Sequence, residues 1–328
     1  MIITRSPFRI TLGGGGTDLP AYYSRYGGFV FSAGIDKYMF INVNQPIVDD
    51  LIRLKYAQTE IVDHRDQLKH ASAREILKHM KIEKGIEVNS IADVPAGTGL
   101  ASSSSYTVAL LKALHTLQRD YISLQDLAEE GFAIEAGVLG RPTGKQDLYM
   151  ASFGGLTVMD IRKDGKVRVR KAKVGNDTID TLNRNMLIFY TNTSRSADDV
   201  LNDQVKSINK QSKKVLESMH YIKELGHQIL EAVESDNLTD VGLLFDKHWQ
   251  YKKKISNKMS NPSFDKIYEL AKANGALGGK ITGAGGGGFF TFYVEDHHKK
   301  LREAMKKNGL REMKYRFDFE GAKVLADI

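Results

Sequence analysis

The chain has 328 residues, 41% of them hydrophobic, with no cysteine and a formal net charge of +7. Its length allows one large or two medium domains with ample core, and the lack of cysteine excludes a disulfide framework or a thiolate metal site. No stretch approaches the roughly 18 apolar residues of a membrane span, and the opening Met1-Ile2-Ile3-Thr4-Arg5-Ser6-Pro7 lacks the apolar core of a signal peptide, which predicts a cytoplasmic protein.

The first predicted element is a strand over 8–12 that carries Arg9 and runs into Gly13-Gly14-Gly15-Gly16-Thr17-Asp18. A turn alone would not need an arginine and an aspartate flanking its glycines, although an isolated Asp in such a place often caps a helix. A strand over 29–40, a helix over 72–80 and a strand within 81–91 follow. They lead into Pro95-Ala96-Gly97-Thr98-Gly99-Leu100-Ala101-Ser102-Ser103-Ser104-Ser105 and an apolar helix over 106–117. Two glycines allow a sharp turn and a close approach to a ligand. Four hydroxyls sit where the helix begins, beside free N–H groups and the positive end of its dipole. An ordinary N-cap needs one serine and no glycine pair; this pattern suits an anion, most often phosphate. It is neither a Walker A loop nor a Gly-x-Gly-x-x-Gly motif. With no lysine in the loop, charge must be neutralised by a metal, and magnesium predicts a carboxylate from another segment.

Two such carboxylates come next. Glu135 falls near the end of an amphipathic helix over 124–138, and Asp147 in a short helical segment over 143–150, beyond Gly140-Arg141-Pro142. Singly, each reads as solvated or salt-bridged; together they can converge on a metal and a reacting hydroxyl. Strands over 156–161 and 167–171 close the first half. A strand over 186–190 starts a new unit, followed by Thr191-Asn192-Thr193-Ser194-Arg195-Ser196 and a helical stretch over 197–233 whose apolar residues recur at three- and four-residue steps. Helices over 238–253 and 263–274 precede Lys280-Ile281-Thr282-Gly283-Ala284-Gly285-Gly286-Gly287-Gly288. This cluster abuts an apolar strand over 289–294, unlike a linker. A helix over 297–308 and strands over 312–317 and 322–325 end the chain. Strands and helices mix without regular βα alternation, so the fold class is α+β. Basic residues cluster at 163–173, 252–254 and 297–307. The last reads as the solvated face of a helix, and no signature with interleaved aromatics marks a nucleic-acid site.

Arg9 with Gly16-Thr17-Asp18, the block 95–105, Glu135 with Gly144-Lys145-Gln146-Asp147, and the block 280–288 together resemble the GHMP kinases, small-molecule kinases of galactose, homoserine, mevalonate and phosphomevalonate. Within that family the blocks look most like those of bacterial heptose 7-phosphate kinases and of the kinase part of fucokinases. The resemblance implies a ribosomal-protein-like α+β domain over 1–185, a ferredoxin-like domain over 186–328, and a cleft between them. It implies ATP and Mg2+, with the nucleotide phosphates wrapped by Pro95, Gly97, Thr98, Gly99, Leu100, Ala101, Ser102, Ser103 and Ser104. Ser103 and Glu135 would hold the metal, Asp147 would act as base with Arg9 beside it, and Asp18, Thr17, Gly16 and Gly144 would border the sugar. Gly283 and Gly285 belong to a loop that would close over the transferred phosphate. Galactose-type kinases carry Glu-His before Thr-Asp, where this chain has Gly15-Gly16, which argues against galactose and leaves room for a bulkier sugar.

A heptose phosphate would bring a second dianion. Arg195, Arg141 and Lys145 are the candidates to bind it, arginine through its two-pronged donor geometry. The competing readings are a kinase of an unphosphorylated sugar, a sugar- and ATP-binding sensor without turnover, and a nucleic-acid module. The presence of both Glu135 and Asp147 disfavours the sensor. The partners expected are a sugar or sugar phosphate and ATP, with no nucleic acid and no membrane.

Overall fold

The computed structural model describes residues 1–193, 197–256 and 258–328. The chain opens with β1 (Ile2–Gly13), α1 (Pro20–Tyr26) and the 17-residue β2 (Gly28–Asn44). A hairpin of β3 (Ile52–Lys55) and β4 (Thr59–Val62) comes next, then α2 (Ala71–His79) and β5 (Ile86–Ala92). Three helices, α3 (Ser102–Leu117), α4 (Leu124–Phe132) and α5 (Lys145–Phe153), precede β6 (Leu156–Ile161), β7 (Val167–Lys171) and α6 (Asn176–Asn185). The second half holds β8 (Met186–Tyr190), α7 (Ala197–Asn209), α8 (Lys213–Glu234), α9 (Leu238–Lys252) and α10 (Pro262–Ala273). It ends with β9 (Gly278–Ile281), β10 (Phe289–Tyr293), α11 (His298–Lys307), β11 (Arg311–Glu312) and β12 (Lys323–Asp327).

Two sheets organise these elements. In the first, β2 pairs with β1 on one side; on the other it pairs with β6 through its first half and β5 through its second. Residues 28–35 of β2 are buried without alternation, because α3, α5 and α8 all pack on this part of the sheet. The second sheet has the antiparallel order β11-β8-β10-β9, with a core that gathers Trp249, Phe264, Tyr268, Phe290 and Phe292. α8 crosses to the first sheet, where a Cβ on Gly13 would sit 2.6 Å from the Cα of Gly226.

The fold is α+β, as the irregular alternation predicts. Three expectations need correction, the first being the strand over 312–317, which is reduced to Arg311–Glu312 with an isolated bridge at Phe317. A boundary at residue 185 assigns the end of the chain to the wrong sheet: β12 pairs with β1, and Phe317 bridges to Ile35. The helical stretch over 197–233 is two helices, broken where Gln211 takes φ +52°. The hairpin β3–β4 and helix α6 are additional elements in short or strongly polar segments.

Candidate active site

β1 anchors the glycine–serine loop: the Arg9 amide donates to the Leu100 carbonyl at 3.2 Å. α3 then starts from Ala101, a non-glycine residue at φ +71°, and no side chain caps it. A left-handed Ala costs energy, and an uncapped helix of sixteen residues leaves N–H groups without intrahelical partners. These groups face a cleft bordered by Gly97, Gly99, Ala101, Ser102, Ser103 and Ser104. Pro95, Thr98 and Leu100 do not border it and instead shape the loop. Thr98 Oγ1 donates to the Pro95 carbonyl at 2.9 Å, and Leu100 is buried in the core. The third glycine cluster packs closely on this loop, largely backbone against backbone. A Cβ on Gly288, at φ +90°, would lie 2.1 Å from the Thr98 carbonyl oxygen.

Arg9 and Asp147 form a two-pronged pair, with Nε to Oδ1 and Nη2 to Oδ2 both at 2.9 Å. The third nitrogen of the guanidinium, Nη1, donates to the Gly99 carbonyl at 2.6 Å. Arg9 is 5% exposed and Asp147 29%, so the pair is fixed from below while the carboxylate stays open to the cleft. Asp147 lies in the first turn of α5, whose N-cap Gly144 offers no side chain. Asp18 caps that helix from a distance, accepting from the amides of Gly16 and Gln146, each at 3.0 Å. Burial pushes the Asp18 carboxyl above its ordinary range, against those amide bonds, and Asp147 adds to the rise. A Cβ on Gly144 would meet Asp18 Oδ2 at 2.0 Å. Gly144→Ala is therefore expected to lower kcat/KM about 10²-fold by displacing α5, with the nucleotide Kd unchanged, as steady-state kinetics and nucleotide titration would show.

Glu135 lies in a π-helical turn, Ala133–Val138, that continues α4; such turns occur mostly as single bulges in α-helices and are frequent at functional sites. It is 2% exposed and accepts from Thr107 Oγ1 at 2.8 Å and Ser104 Oγ at 3.1 Å. Burial raises its carboxyl above the usual range, only partly offset by Thr107, Arg141 and Ser104. Arg141 donates to Ser103 Oγ at 3.0 Å, so hydroxyl and carboxylate share one edge of the cleft. Among the described residues no three His, Cys, Asp or Glu side chains form a metal cage. This donor set fits Mg2+, which takes one or two protein oxygens and completes its shell from phosphate and water.

The other expected site residues divide. Gly16, Asp18, Gly144 and Gly283 border the cleft. Thr17 does not: it is fully buried and donates to the carbonyls of Gly14 and Phe29. Gly285 packs on Met259 instead. Lys145 is turned away, donating to both oxygens of Glu129 at 2.6 and 2.5 Å. Arg195 lies outside the described residues. The room left by Gly16 is already taken, since a Cβ there would meet Gln204 Nε2 of α7 at 2.7 Å.

The second unit contributes a wall that sequence reasoning missed: His248 and Lys252 from α9 and Lys280 from β9. Lys252 does not lie with Lys253 and Lys254 but is half-buried and donates to the carbonyls of Ile281 at 3.1 Å and Gly283 at 2.5 Å. Their i, i+4 spacing around the buried Trp249 was the available signal, because His and Lys on an apolar helix face need a reason.

Two α+β units that meet over an uncapped, glycine-fed helix, with a fixed carboxylate opposite, have the arrangement of a small-molecule phosphotransferase. Residues 68–155 match the GHMP kinases N terminal domain and residues 229–310 the GHMP kinases C terminal. A D-glycero-alpha-D-manno-heptose 7-phosphate kinase of Campylobacter jejuni is 30% identical over 98% of both chains. The crystal structure of a D-glycero-D-manno-heptose 1-phosphate kinase from Bacteroides thetaiotaomicron superposes with a TM-score of 0.82 at 23% identity, covering all of both chains. Lactococcus lactis galactokinase complexed with galactose gives 0.78 at 19% identity, over 99% of this chain and 95% of that one. The chain belongs to the GHMP kinase family, enzymes that transfer a phosphoryl group to a hydroxyl acceptor. No described helix is long and apolar enough to cross a membrane.

Proposed function

We propose that this kinase uses ATP to phosphorylate a sugar, D-glycero-D-manno-heptose 7-phosphate, at its anomeric hydroxyl, giving the 1,7-bisphosphate and ADP. The observation that carries the reaction is the Arg9 bridge, which joins Asp147 and the Gly99 carbonyl in one rigid group. The 98% coverage of the heptose 7-phosphate kinase at 30% identity supports the substrate.

Phosphoryl transfer asks the protein mainly for positioning and charge stabilisation. The amides of Ser102, Ser103 and Ser104 hold the nucleotide phosphates at the mouth of α3. Ser103 and Glu135 would hold Mg2+, which supplies charge neutralisation to those phosphates. Asp147 accepts the proton of the anomeric hydroxyl as its oxygen bonds to the γ-phosphorus and the bond to the ADP oxygen breaks. Alignment can contribute roughly 7–11 kcal/mol of barrier reduction, and the base a further ~10²–10⁴-fold. An ADP-release assay over a panel of sugars and sugar phosphates tests the reading. Turnover with heptose 7-phosphate well above that with free heptose, fucose or galactose is expected. Preference for an unphosphorylated sugar would overturn the substrate, and no ADP release with any acceptor would overturn the activity.

A further inference from the structure

We propose that His248, Lys252 and Lys280 form an anion subsite, in the wall contributed by the second unit, that binds a phosphate group of the sugar ligand. The proposal rests on the sugar phosphate kinase reading and names the side chains that would recognise the phosphate.

All three residues border the same cleft as Arg9, Gln146 and Asp147. His248 is 2% exposed, and neither of its ring nitrogens has a hydrogen-bond partner. Buried imidazole nitrogens left unpaired are costly, and an incoming oxyanion would satisfy one of them. Lys280 is 3% exposed; its ammonium donates to the Leu12 carbonyl and lies 4.5 Å over the Phe245 ring. Neither lysine pairs with a carboxylate among the described residues. Each ammonium carries three donors, so both keep donors beyond those spent on carbonyls. Uncompensated buried charge is expensive, and a dianion is the partner that offsets it.

The electrostatics agree. Burial, and then Arg9, bring Lys252 down to about 7, while burial and Lys252 hold Lys280 well below its ordinary range. His248 is likewise held well below the usual imidazole value by burial and by the two lysines. Position narrows the ligand. Lys280 is tied to the strand that enters the four-glycine turn, and Lys252 to Gly283, whose Cβ would lie 2.6 Å from the Gly99 carbonyl oxygen of the phosphate loop. The subsite therefore spans the sugar wall and the point of transfer. Its phosphate is either the one the sugar carries on entry or the one it receives. Of the other candidates, Lys145 is taken up by Glu129, Arg141 reaches Ser103 at the nucleotide edge, and Arg195 lies outside the described residues.

Calorimetric titration without nucleotide tests the subsite apart from turnover. Wild type, Lys252→Met and His248→Gln would each be titrated with free heptose, heptose 7-phosphate and heptose 1-phosphate, after thermal melts confirm folding. Each variant is expected to weaken a phosphorylated ligand about 10- to 100-fold, the scale of a lost charge-assisted hydrogen bond, and to leave free heptose within about twofold. Loss confined to the 7-phosphate assigns the entering phosphate; loss confined to the 1-phosphate assigns the received one; loss of both assigns a site that either reaches. Equal weakening of all three ligands, or of none, would overturn the subsite. Kinase turnover by the wild type is scored separately, so failure of the subsite leaves the activity standing.

Discussion

Asp147→Asn is expected to lower kcat by about 10²–10⁴-fold, the range that a positioned base supplies, while the KM for ATP stays within about twofold. The asymmetry follows from where the side chain lies. Asn keeps the size of Asp and one oxygen that can accept from Arg9, so the bridge from β1 to Gly99 survives in part. What is lost is the charge that can take a proton from the acceptor hydroxyl. Because the helix mouth that receives nucleotide is built from α3 rather than α5, ground-state ATP affinity has no reason to change. Loss of an interaction made only in the transition state lowers kcat and kcat/KM equally, and steady-state kinetics reads that pattern. Turnover equal to the wild type would remove Asp147 from the chemistry.

Glu135→Gln separates stability from function. The buried carboxyl has a folded-state pKa raised by burial, beyond what Thr107, Arg141 and Ser104 recover. A carboxyl raised on folding favours the folded state only while protonated; that contribution is present below its unfolded pKa and is lost as pH rises through the folded value. At neutral pH, without metal, the buried charge is a cost. Glutamine removes the charge and can keep hydrogen bonds to both hydroxyls. The metal-free variant is therefore expected to melt higher than wild type at pH 8, by about 2–4 °C for each kcal/mol relieved. Near pH 4, where both forms of the site are neutral, the gain should vanish. At the same time the Mg2+ concentration needed for half-maximal activity should rise at least ~10–100-fold. Melting curves at the two pH values and a Mg2+ titration of activity check both halves. A variant less stable at pH 8 with an unchanged Mg2+ requirement would make Glu135 a structural acceptor for α3.

Much of the site can be read in the chain because it is made of backbone. Glycines at 99, 283 and 288 are legible, since a side chain at any of them would collide with the backbone of the facing loop. Arg9, Glu135 and Asp147 stand out as charges attached to those loops. Tasks divided between distant segments are harder to read. Asp18 caps α5 across 128 residues of sequence, and Thr17 closes its own turn rather than facing the cleft. No local pattern marks either. Lys145 sits within a recognisable motif, yet Glu129 sixteen residues earlier turns it inward. Lys252 hides beside two further lysines in the sequence, and only packing of α9 on β9 turns its ammonium toward the Ile281 and Gly283 carbonyls. In the fold, long periodic helices and apolar strands are plain. The return of β12 to β1 depends on tertiary pairing, and the break at Gln211 on a single left-handed residue that is not glycine.

The most direct test is a crystal structure with a non-hydrolysable ATP analogue, Mg2+ and heptose 7-phosphate. The expected result places the triphosphate on residues 97–104 at the start of α3, the metal between Ser103 and Glu135, and the anomeric oxygen within hydrogen-bond reach of Asp147. A nucleotide bound elsewhere, or an acceptor hydroxyl held away from Asp147 with the triphosphate in place, would contradict the account.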